Sequence, residues 1–343
     1  MPFNQHIIDS TKSERVRRVA ELEKTKARKK SGKFLIEGPQ SVREIVRWMP
    51  EAVVDCYVQT GDQQHEMISP VVENIADEAD KGGLYIHRVT GEVMHRMSTD
   101  AQGILAVGDL EVMQRCMDEA FTGNQTGTGN DTQAVHNLLT RGTEIRSDAE
   151  MNHISDGTLT TRAQETFHSG PVSNTVAAFW QIRDPGNAGT VIRTADAAGA
   201  RAVIFVDDCV DRFNPKVIRS SAGSLFHVPV VTMGTEEFFI WALGQHNDLI
   251  AADVYGTQQN RPESLIEVIR SYYEDAKRGR RTNASHTILF GNEARGLPDW
   301  VLERVNSIVS IPLYGKAESL NLATSTSVLL FTLAMARDIE QGV

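Results

Sequence analysis

The C-terminal half of the chain alternates short apolar runs with stretches of helical spacing, and this alternation most restricts the possible folds. The runs occur at residues 176–182, 202–206, 229–232, 249–251, 287–290 and 307–311. Strands that are buried on both faces are continuous apolar runs, and parallel sheets covered by helices contain such strands. The pattern therefore predicts an α/β fold with a mostly parallel sheet, followed by a long apolar helix over about 321–340.

The first 110 residues show the same alternation on a smaller scale. The predicted strands are 34–38, 53–58, 84–88 and 104–107, and helices are predicted at about 10–30, 42–46 and 65–80. Strands and helices that alternate over such a length indicate one small α/β domain.

Residues between these two regions have a different composition. Small polar residues fill 122–132, and an excess of acidic residues continues to about 170. Such a segment has little to bury. The predicted organisation is therefore a domain over 1–110, an acidic and partly disordered linker or insertion over 111–172, and a second domain over 173–343.

The charge is unevenly distributed. The chain has 343 residues and a net charge of −10. Residues 1–33 hold ten Lys or Arg and four acids, which is +6 and leaves −16 for the rest. Two interpretations of this basic segment stay open: a contact with a polyanion such as RNA, or a solvated helix face with Glu–Lys pairs. Two interpretations also stay open for the cationic patch 277–281: it contacts RNA, or it is an exposed loop.

Composition excludes several classes. The three cysteines, Cys56, Cys116 and Cys209, are far apart and form no C-x-x-C pair, which argues against a disulfide framework and a local zinc site. No apolar run approaches the roughly 18 residues that a membrane helix needs, and no secretory signal is visible. We expect a cytoplasmic protein with no membrane and no metal.

A first candidate site follows the strand at 176–182. The turn Asp184-Pro185-Gly186-Asn187 leads into a helix that Asn187 can cap and that carries Arg193. This places Asn187 where α/β proteins bind ligands, but the spacing alone favours a plain βα turn with a capping Asn and a surface Arg. The absence of G-x-G-x-x-G argues against a dinucleotide-binding oxidoreductase.

Two further strands end in polar, glycine-containing segments. In 288–298, Gly291 allows close approach to the strand end and is followed by Glu293. In 311–325, Ser319 or Asn321 caps the final helix. Each is an ordinary strand-end loop when taken alone, whereas three such loops in one domain can converge on one cleft.

Together the three segments closely resemble, in order and spacing, motifs one, two and three of the SpoU/TrmH-type RNA 2′-O-ribose methyltransferases of the SPOUT class. The resemblance covers about 173–343. Residues 10–110 resemble the ribosomal-protein-like substrate-binding domain that precedes the catalytic domain in many members. Ala294 stands where motif two often has glycine.

The resemblance implies a parallel sheet whose C-terminal part forms a trefoil knot around S-adenosylmethionine. The residues that it implies for cofactor binding are Leu289, Gly291, Ile311 and Leu320. It also implies a homodimer that involves the final helix.

The implied catalytic residues are Asn187, Arg193, Glu293, Ser319 and Asn321. By motif position, Arg193 contacts the target phosphate, Asn187 orients the nucleotide and Glu293 supports the pocket. Ser319 and Asn321 position groups beside the sulfonium. The implied reaction is 2′-O-methylation of a ribose in RNA, with 23S-type ribosomal RNA favoured. A tRNA 2′-O-methyltransferase and a non-catalytic RNA-binding or ribosome-assembly factor are the alternatives.

Overall fold

The computed structural model describes residues 3–61, 68–123, 174–245, 248–278 and 285–341. The strands are β1 (Phe3–Ile8), β2 (Lys33–Glu37), β3 (Val53–Gln59), β4 (Ile86–Val89), β5 (Ile104–Asp109), β6 (Thr175–Trp180), β7 (Ala202–Val206), β8 (Val230–Met233), β9 (Asp248–Ala252), β10 (Glu263–Ser264), β11 (His286–Phe290) and β12 (Ser307–Ser310). The α-helices are α1 (Glu14–Glu21), α2 (Thr25–Ser31), α3 (Pro39–Trp48), α4 (Pro70–Lys81), α5 (Gly91–Met97), α6 (Leu110–Gly123), α7 (Pro185–Ala197), α8 (Pro215–Ser220), α9 (Thr235–Gly244), α10 (Leu265–Lys277), α11 (Asp299–Leu302) and α12 (Leu322–Gln341).

The described chain divides into two compact units. The first comprises Met1–Arg115, Ile182–Ala197 and Cys209–Val228, and the second comprises Cys116–Gln181, Ala198–Asp208 and Pro229–Val343. Helices α7 and α8 therefore group with the N-terminal elements, although they lie within the predicted second domain. The predicted domain boundaries at 110 and 172 remain predictions.

The first unit is built on a five-stranded sheet of order β1-β4-β3-β5-β2. Strands β1, β4 and β3 are parallel, while β5 is antiparallel to both β3 and β2. Apolar side chains from α1, α5 and the sheet form one core, with Val16, Leu35 and Leu105 at most 1% exposed. Local signals begin the helices: Ser13 caps α1, and Pro39 follows Gly38, whose φ is +82°, at the start of α3.

The predicted helix over 10–30 is two helices, and the break changes the role of one cation. Arg28 in α2 is 1% exposed and donates to the Leu22 carbonyl at 2.9 Å and to the Glu23 carbonyl at 2.7 Å. It also donates to Thr25 Oγ1 at 3.0 Å and pairs with Asp211 Oδ2 at 2.6 Å. Of the ten basic residues in 1–33, Arg28 therefore fits neither of the two interpretations, because its charge is used inside the protein.

The second unit is built on a seven-stranded, wholly parallel sheet of order β10-β12-β9-β11-β6-β7-β8. The predicted parallel sheet is confirmed. Five consecutive residues are buried in β6 and five in β7, which explains why these strands are continuous apolar runs. Phe179, Phe205 and Phe290 are fully or almost fully buried across three neighbouring strands.

Only the first part of the predicted linker lies within the described residues. Residues 111–123 belong to α6, in which Met117 and Ala120 are fully buried. The rest of the predicted linker, 124–172, lies outside the described residues, as do residues 279–281 of the cationic patch. Within the described residues, no helix is both long enough and apolar enough to span a bilayer.

Candidate active site

The second unit contains a cavity of about 570 Å³ at one edge of its sheet. Its lining comes from residues that follow three adjacent strands: Asp253 after β9, Gly291 after β11 and Ile311 after β12. Because the strands are parallel, their carboxyl ends meet at this edge, where open α/β sheets bind ligands. The volume lies within the roughly 300–1,000 Å³ of small-molecule sites.

The segment after β11 forms one wall of the cavity as a closed loop. Asn292 and Gly296 exchange two backbone hydrogen bonds, with N–O distances of 3.2 Å and 2.9 Å. The Asn292 side-chain oxygen accepts from the N–H groups of Ala294 at 3.0 Å and Arg295 at 3.3 Å. Its amide nitrogen donates to the Gln181 carbonyl at 2.7 Å. Asn292 is not among the site residues predicted from the motifs, although it stands between two that are, Gly291 and Glu293.

Gly291 is required by backbone packing. A Cβ at this position would lie 2.5 Å from the Gly296 carbonyl carbon and 2.8 Å from the Leu297 nitrogen. No side chain fits there unless the loop opens, so the glycine allows the two ends of the loop to touch.

The cavity brings together most of the residues predicted from motifs two and three. Glu293, Ser319 and Asn321 are exposed and line it. Asn321 also caps α12, because its side-chain oxygen accepts from the Ala323 N–H at 2.9 Å. Of the two caps considered for this helix, the structure therefore identifies Asn321.

The predicted cofactor-binding residues divide into two groups. Gly291, Ile311 and Leu320 line the cavity. Leu289 does not line it: this side chain is fully buried in the core of the second unit. Successive side chains in a strand face opposite sides, and the following residue, Phe290, lines the cavity instead.

The segment after β9 is a part of the cavity that sequence reasoning missed. Asp253 accepts from the N–H groups of Tyr255 and Gly256, each at 2.8 Å, and all three residues line the cavity. A strand that ends in Asp and is followed by Gly is the same signal that identified the other segments.

The predicted motif one residues lie in the first unit, on α7. The helix begins at Pro185, and Asp184 Oδ1 accepts from the Asn187 N–H at 2.7 Å. The prediction that Asn187 caps this helix is therefore wrong, because Asp184 does so from a position three residues earlier. Arg193 is exposed near the middle of the helix.

Helix α7 is anchored within the first unit by a histidine and two carboxylates. His227 Nδ1 lies 3.0 Å from Asp196 Oδ2 of α7, and its Nε2 lies 3.3 Å from Glu44 Oε2 of α3. Burial opposes the charged imidazole, but the hydrogen bonds and charges of Asp196 and Glu44 outweigh it and raise the pKa of His227 above its ordinary value.

The cavity suits S-adenosylmethionine by the chemistry of its lining. Ile311, Leu313 and Leu320 offer apolar surface to a flat base, and the carboxylates of Glu293 and Glu318 complement a cationic centre. No group of three or more His, Cys, Asp or Glu suited to a metal ion occurs among the residues that the structure describes.

Two family models match the chain. The SpoU rRNA Methylase family matches residues 174–331, and the MRM3-like substrate binding domain matches residues 13–106.

Two curated relatives each match about half of the chain. The 23S rRNA (guanosine(2553)-2′-O)-methyltransferase RlmP of Bacillus subtilis is 37% identical over 155 residues, which is 44% of this chain and 54% of that protein. The chain thus matches about half the length of that relative. An uncharacterized tRNA/rRNA methyltransferase of Synechocystis is 32% identical over 206 residues, which is 58% of this chain and 67% of that protein.

Solved structures extend the likeness of fold to the whole chain. The AdoMet-bound rRNA methyltransferase from Sinorhizobium meliloti superposes with a TM-score of 0.63 over 99% of both chains, at 22% identity. At that identity the likeness shows the fold alone. The order of the motifs, the two family models and the Synechocystis relative lead to one conclusion: the chain belongs to the SpoU rRNA methylase family.

Proposed function

We propose that this protein transfers a methyl group from S-adenosylmethionine to a ribose 2′-hydroxyl in RNA. The observation that carries the proposal is the cavity at the carboxyl ends of β12, β9 and β11, where Gly291, Glu293, Ser319 and Asn321 meet. These residues come from two motifs that are separated in sequence. A binding-only protein has no need to keep both sets.

When bound, S-adenosylmethionine supplies an electrophilic methyl group on a sulfonium. The chain holds the cofactor through the closed loop 291–296 and through the apolar side chains of Ile311 and Leu320. Glu293 supports this wall of the pocket, and Ser319 and Asn321 position groups beside the reacting centre.

Arg193 and Asn187 act on the RNA. The hydroxyl oxygen is a weak nucleophile and must lose its proton as it attacks. A guanidinium holds its own proton too tightly to act as a base, so Arg193 binds the target phosphate and stabilises charge that develops on the oxygen. The proton passes to a phosphate oxygen or to water. Asn187 orients the nucleotide.

The basic N-terminal segment supplies the remaining phosphate contacts. Lys26, Lys29 and Lys30 are exposed on α2. Phosphate binding needs local positive charge rather than a basic protein, so the net charge of −10 is compatible with RNA binding.

Ribosomal RNA is the favoured substrate. The relatives from Bacillus subtilis and Streptomyces viridochromogenes are both named 23S rRNA 2′-O-methyltransferases. Transfer RNA is the second candidate, because the Synechocystis relative is named a tRNA/rRNA methyltransferase.

We further propose a homodimer, a knotted C-terminal region and a cytoplasmic location. Exposed apolar residues on α12, Phe331 and Met335, support the dimer. The position of β12 beside β9, inside the sheet, supports the knot. Three cysteines without a disulfide support a reducing compartment.

The experiment is methyl transfer from radiolabelled S-adenosylmethionine to unmodified ribosomal RNA and, separately, transfer RNA. We expect label in the ribosomal pool at a 2′-oxygen, and a decrease of about 100-fold or more in Arg193→Ala, since preorganised charge is worth that much in catalysis. Label in transfer RNA alone selects the second candidate. If neither pool is labelled, ribosomal particles are tried as the substrate. A protein that binds the cofactor but labels neither RNA pool nor the particles contradicts the proposal.

A further inference from the structure

A chain of hydrogen bonds crosses three neighbouring strands at the carboxyl edge of the second sheet. The Asn292 amide donates to the Gln181 carbonyl at 2.7 Å, and the Gln181 side-chain amide donates to Asp207 Oδ2 at 2.8 Å. The Gln181 N–H donates to the Val206 carbonyl at 2.9 Å. These residues follow β11, β6 and β7, which are adjacent in the sheet.

Two residues in this chain of hydrogen bonds have an unusual backbone. Gln181 has a φ of +49° and Asp207 a φ of +65°, in the left-handed region that favours glycine. Such conformations are unfavourable for residues other than glycine and persist where the surroundings hold them. The Asn292 side chain is part of what holds Gln181.

Gln181 lies at the junction of two parts of the proposed machinery. It is the residue after β6 and stands six positions before Asn187 in the sequence. Asn292 also closes the cavity loop through its side-chain oxygen, and its amide approaches Glu293 Oε2 at 3.4 Å. One side chain therefore bonds both to the wall of the cavity and to the backbone that leads into motif one.

We propose that Asn292 is a positioning residue with two separable tasks, an inference that rests on the proposed function. Its oxygen holds loop 291–296 in the shape that binds S-adenosylmethionine. Its amide holds the Gln181 carbonyl and so fixes the start of the segment that carries Asn187 and Arg193. The two tasks use different atoms, which makes them distinguishable by substitution.

Asn292→Asp keeps the oxygen and replaces the donor with a second oxygen that faces the Gln181 carbonyl. Asn292→Ala removes both. Asn306→Ala is the matched control: Asn306 is likewise an asparagine in a loop of this sheet, and its side-chain oxygen accepts from the Leu249 N–H at 2.9 Å, but it does not line the cavity.

Three measurements on the full-length protein test the assignment. Calorimetry gives the Kd of S-adenosylmethionine, and single-turnover assays at saturating cofactor give the methyl-transfer rate. Hydrogen exchange of the ligand-free protein follows the backbone amides of 182–187, apart from Pro185, which has no N–H. In Asn292→Asp we expect a Kd within about threefold of wild type, a rate about tenfold lower and faster exchange at 182–187. In Asn292→Ala we expect the Kd to rise about tenfold as well. Asn306→Ala resembles wild type in all three.

The outcomes separate this inference from the proposed function. A wild type that transfers no methyl group overturns the proposed function, and the exchange of 182–187 in Asn292→Asp still decides the positioning role. Exchange and rate at wild-type values in Asn292→Asp overturn the role at Gln181. Equal cofactor affinity in wild type and Asn292→Ala overturns the role in the loop. If Asn292→Asp raises exchange uniformly across the sheet and lowers thermal stability to match, then Asn292 has only a structural role. That result also overturns the proposal.

Discussion

At the scale of single residues, Gly291 is a position in the cavity wall where backbone packing leaves no room for a side chain. Its hypothetical Cβ meets backbone atoms, which cannot rotate away as a side chain can. We expect Gly291→Ala to open loop 291–296, to weaken S-adenosylmethionine binding by about tenfold or more, and to destabilise the fold by about 1–3 kcal/mol. Calorimetry and urea unfolding measure the two effects.

Gly244→Ala is the matched control for this change. A Cβ at Gly244, the last residue of α9, meets nothing within 4 Å. Alanine is favoured over glycine in a helix, so stability should be unchanged or higher by up to about 1 kcal/mol. If Gly291→Ala binds the cofactor as Gly244→Ala does, the loop is not the binding wall.

The residue scale also shows what a sequence can and cannot reveal about a site. Glycine and polar residues after buried strands identified Gly291, Glu293 and Asn321, because the strand end and the ligand edge coincide in a parallel sheet. The role of Asn292 depends on a carbonyl 111 positions away, at Gln181, and no local pattern encodes that bond.

At the scale of elements, α2 carries one buried and several exposed cations that have different tasks. Arg28 pairs with Asp211 inside the first unit, whereas Lys26, Lys29 and Lys30 are exposed. We expect Arg28→Met to destabilise the protein by about 3 kcal/mol, since it leaves Asp211 without its partner. Urea unfolding measures this decrease in stability.

The triple change of Lys26, Lys29 and Lys30 to alanine should leave the stability of the protein nearly unchanged but weaken its binding to RNA. Stability should change by less than about 0.5 kcal/mol, because these are surface positions. RNA affinity should fall, and the slope of its logarithm against log salt should decrease by about 0.7 for each phosphate that the variant no longer neutralises. Unchanged RNA affinity in the triple variant would favour the alternative of a solvated helix face.

The contact of His227 with α3 and α7 makes the stability of the first unit depend on pH. The pKa of His227 is raised, so the charged imidazole stabilises the fold fully below its ordinary value of about 6.5. This contribution is lost as the pH rises through the raised value. We expect the free energy of unfolding to fall over that interval in wild type.

His227→Gln should remove this part of the pH dependence, and His95→Gln, at an exposed position of α5, should retain it. Urea unfolding at closely spaced pH values between about 6 and 9 makes the comparison. Identical profiles for wild type and His227→Gln would contradict the assigned role of the imidazole.

The sequence predicts some strands and helices more accurately than others. The buried strands β6, β7, β9, β11 and β12 were located within about two residues, because apolar runs dominate their sequences. Strand β1 was missed, since its polar residues between Phe3 and Ile7 break any run. The break between α1 and α2 was also missed, because no Gly or Pro marks it; the buried guanidinium of Arg28 fills the turn instead.

At the scale of the whole molecule, the exposed apolar residues of α12 bear on assembly. Phe331 is 38% exposed and Met335 is 57% exposed. If this helix forms the dimer interface, Met335→Glu places a charge there and should convert the protein to monomers. Sedimentation velocity measures the change. Ile240→Glu is the control, because Ile240 lies on α9 and is exposed to a similar extent, 55%. If both changes dissociate the dimer alike, the assignment of the interface to α12 is wrong.

The order of the strands could not be predicted from the sequence. Neighbouring strands β6, β7 and β8 follow one another in the chain, as most connections do, but β11 lies between β6 and β9. The pairing of β11 with β6 joins residues that are 111 positions apart, such as His286 and Thr175, so no local propensity specifies it.

This strand order also has a consequence for biosynthesis. The ribosome delivers β6 to β9 first, while the central place between β6 and β9 is filled only when β11 follows. Until then two apolar strand edges lack their partner, and such edges attract other chains. During synthesis the nascent protein therefore passes through an interval, set by the rate of translation, in which these open strand edges are prone to pair with other chains.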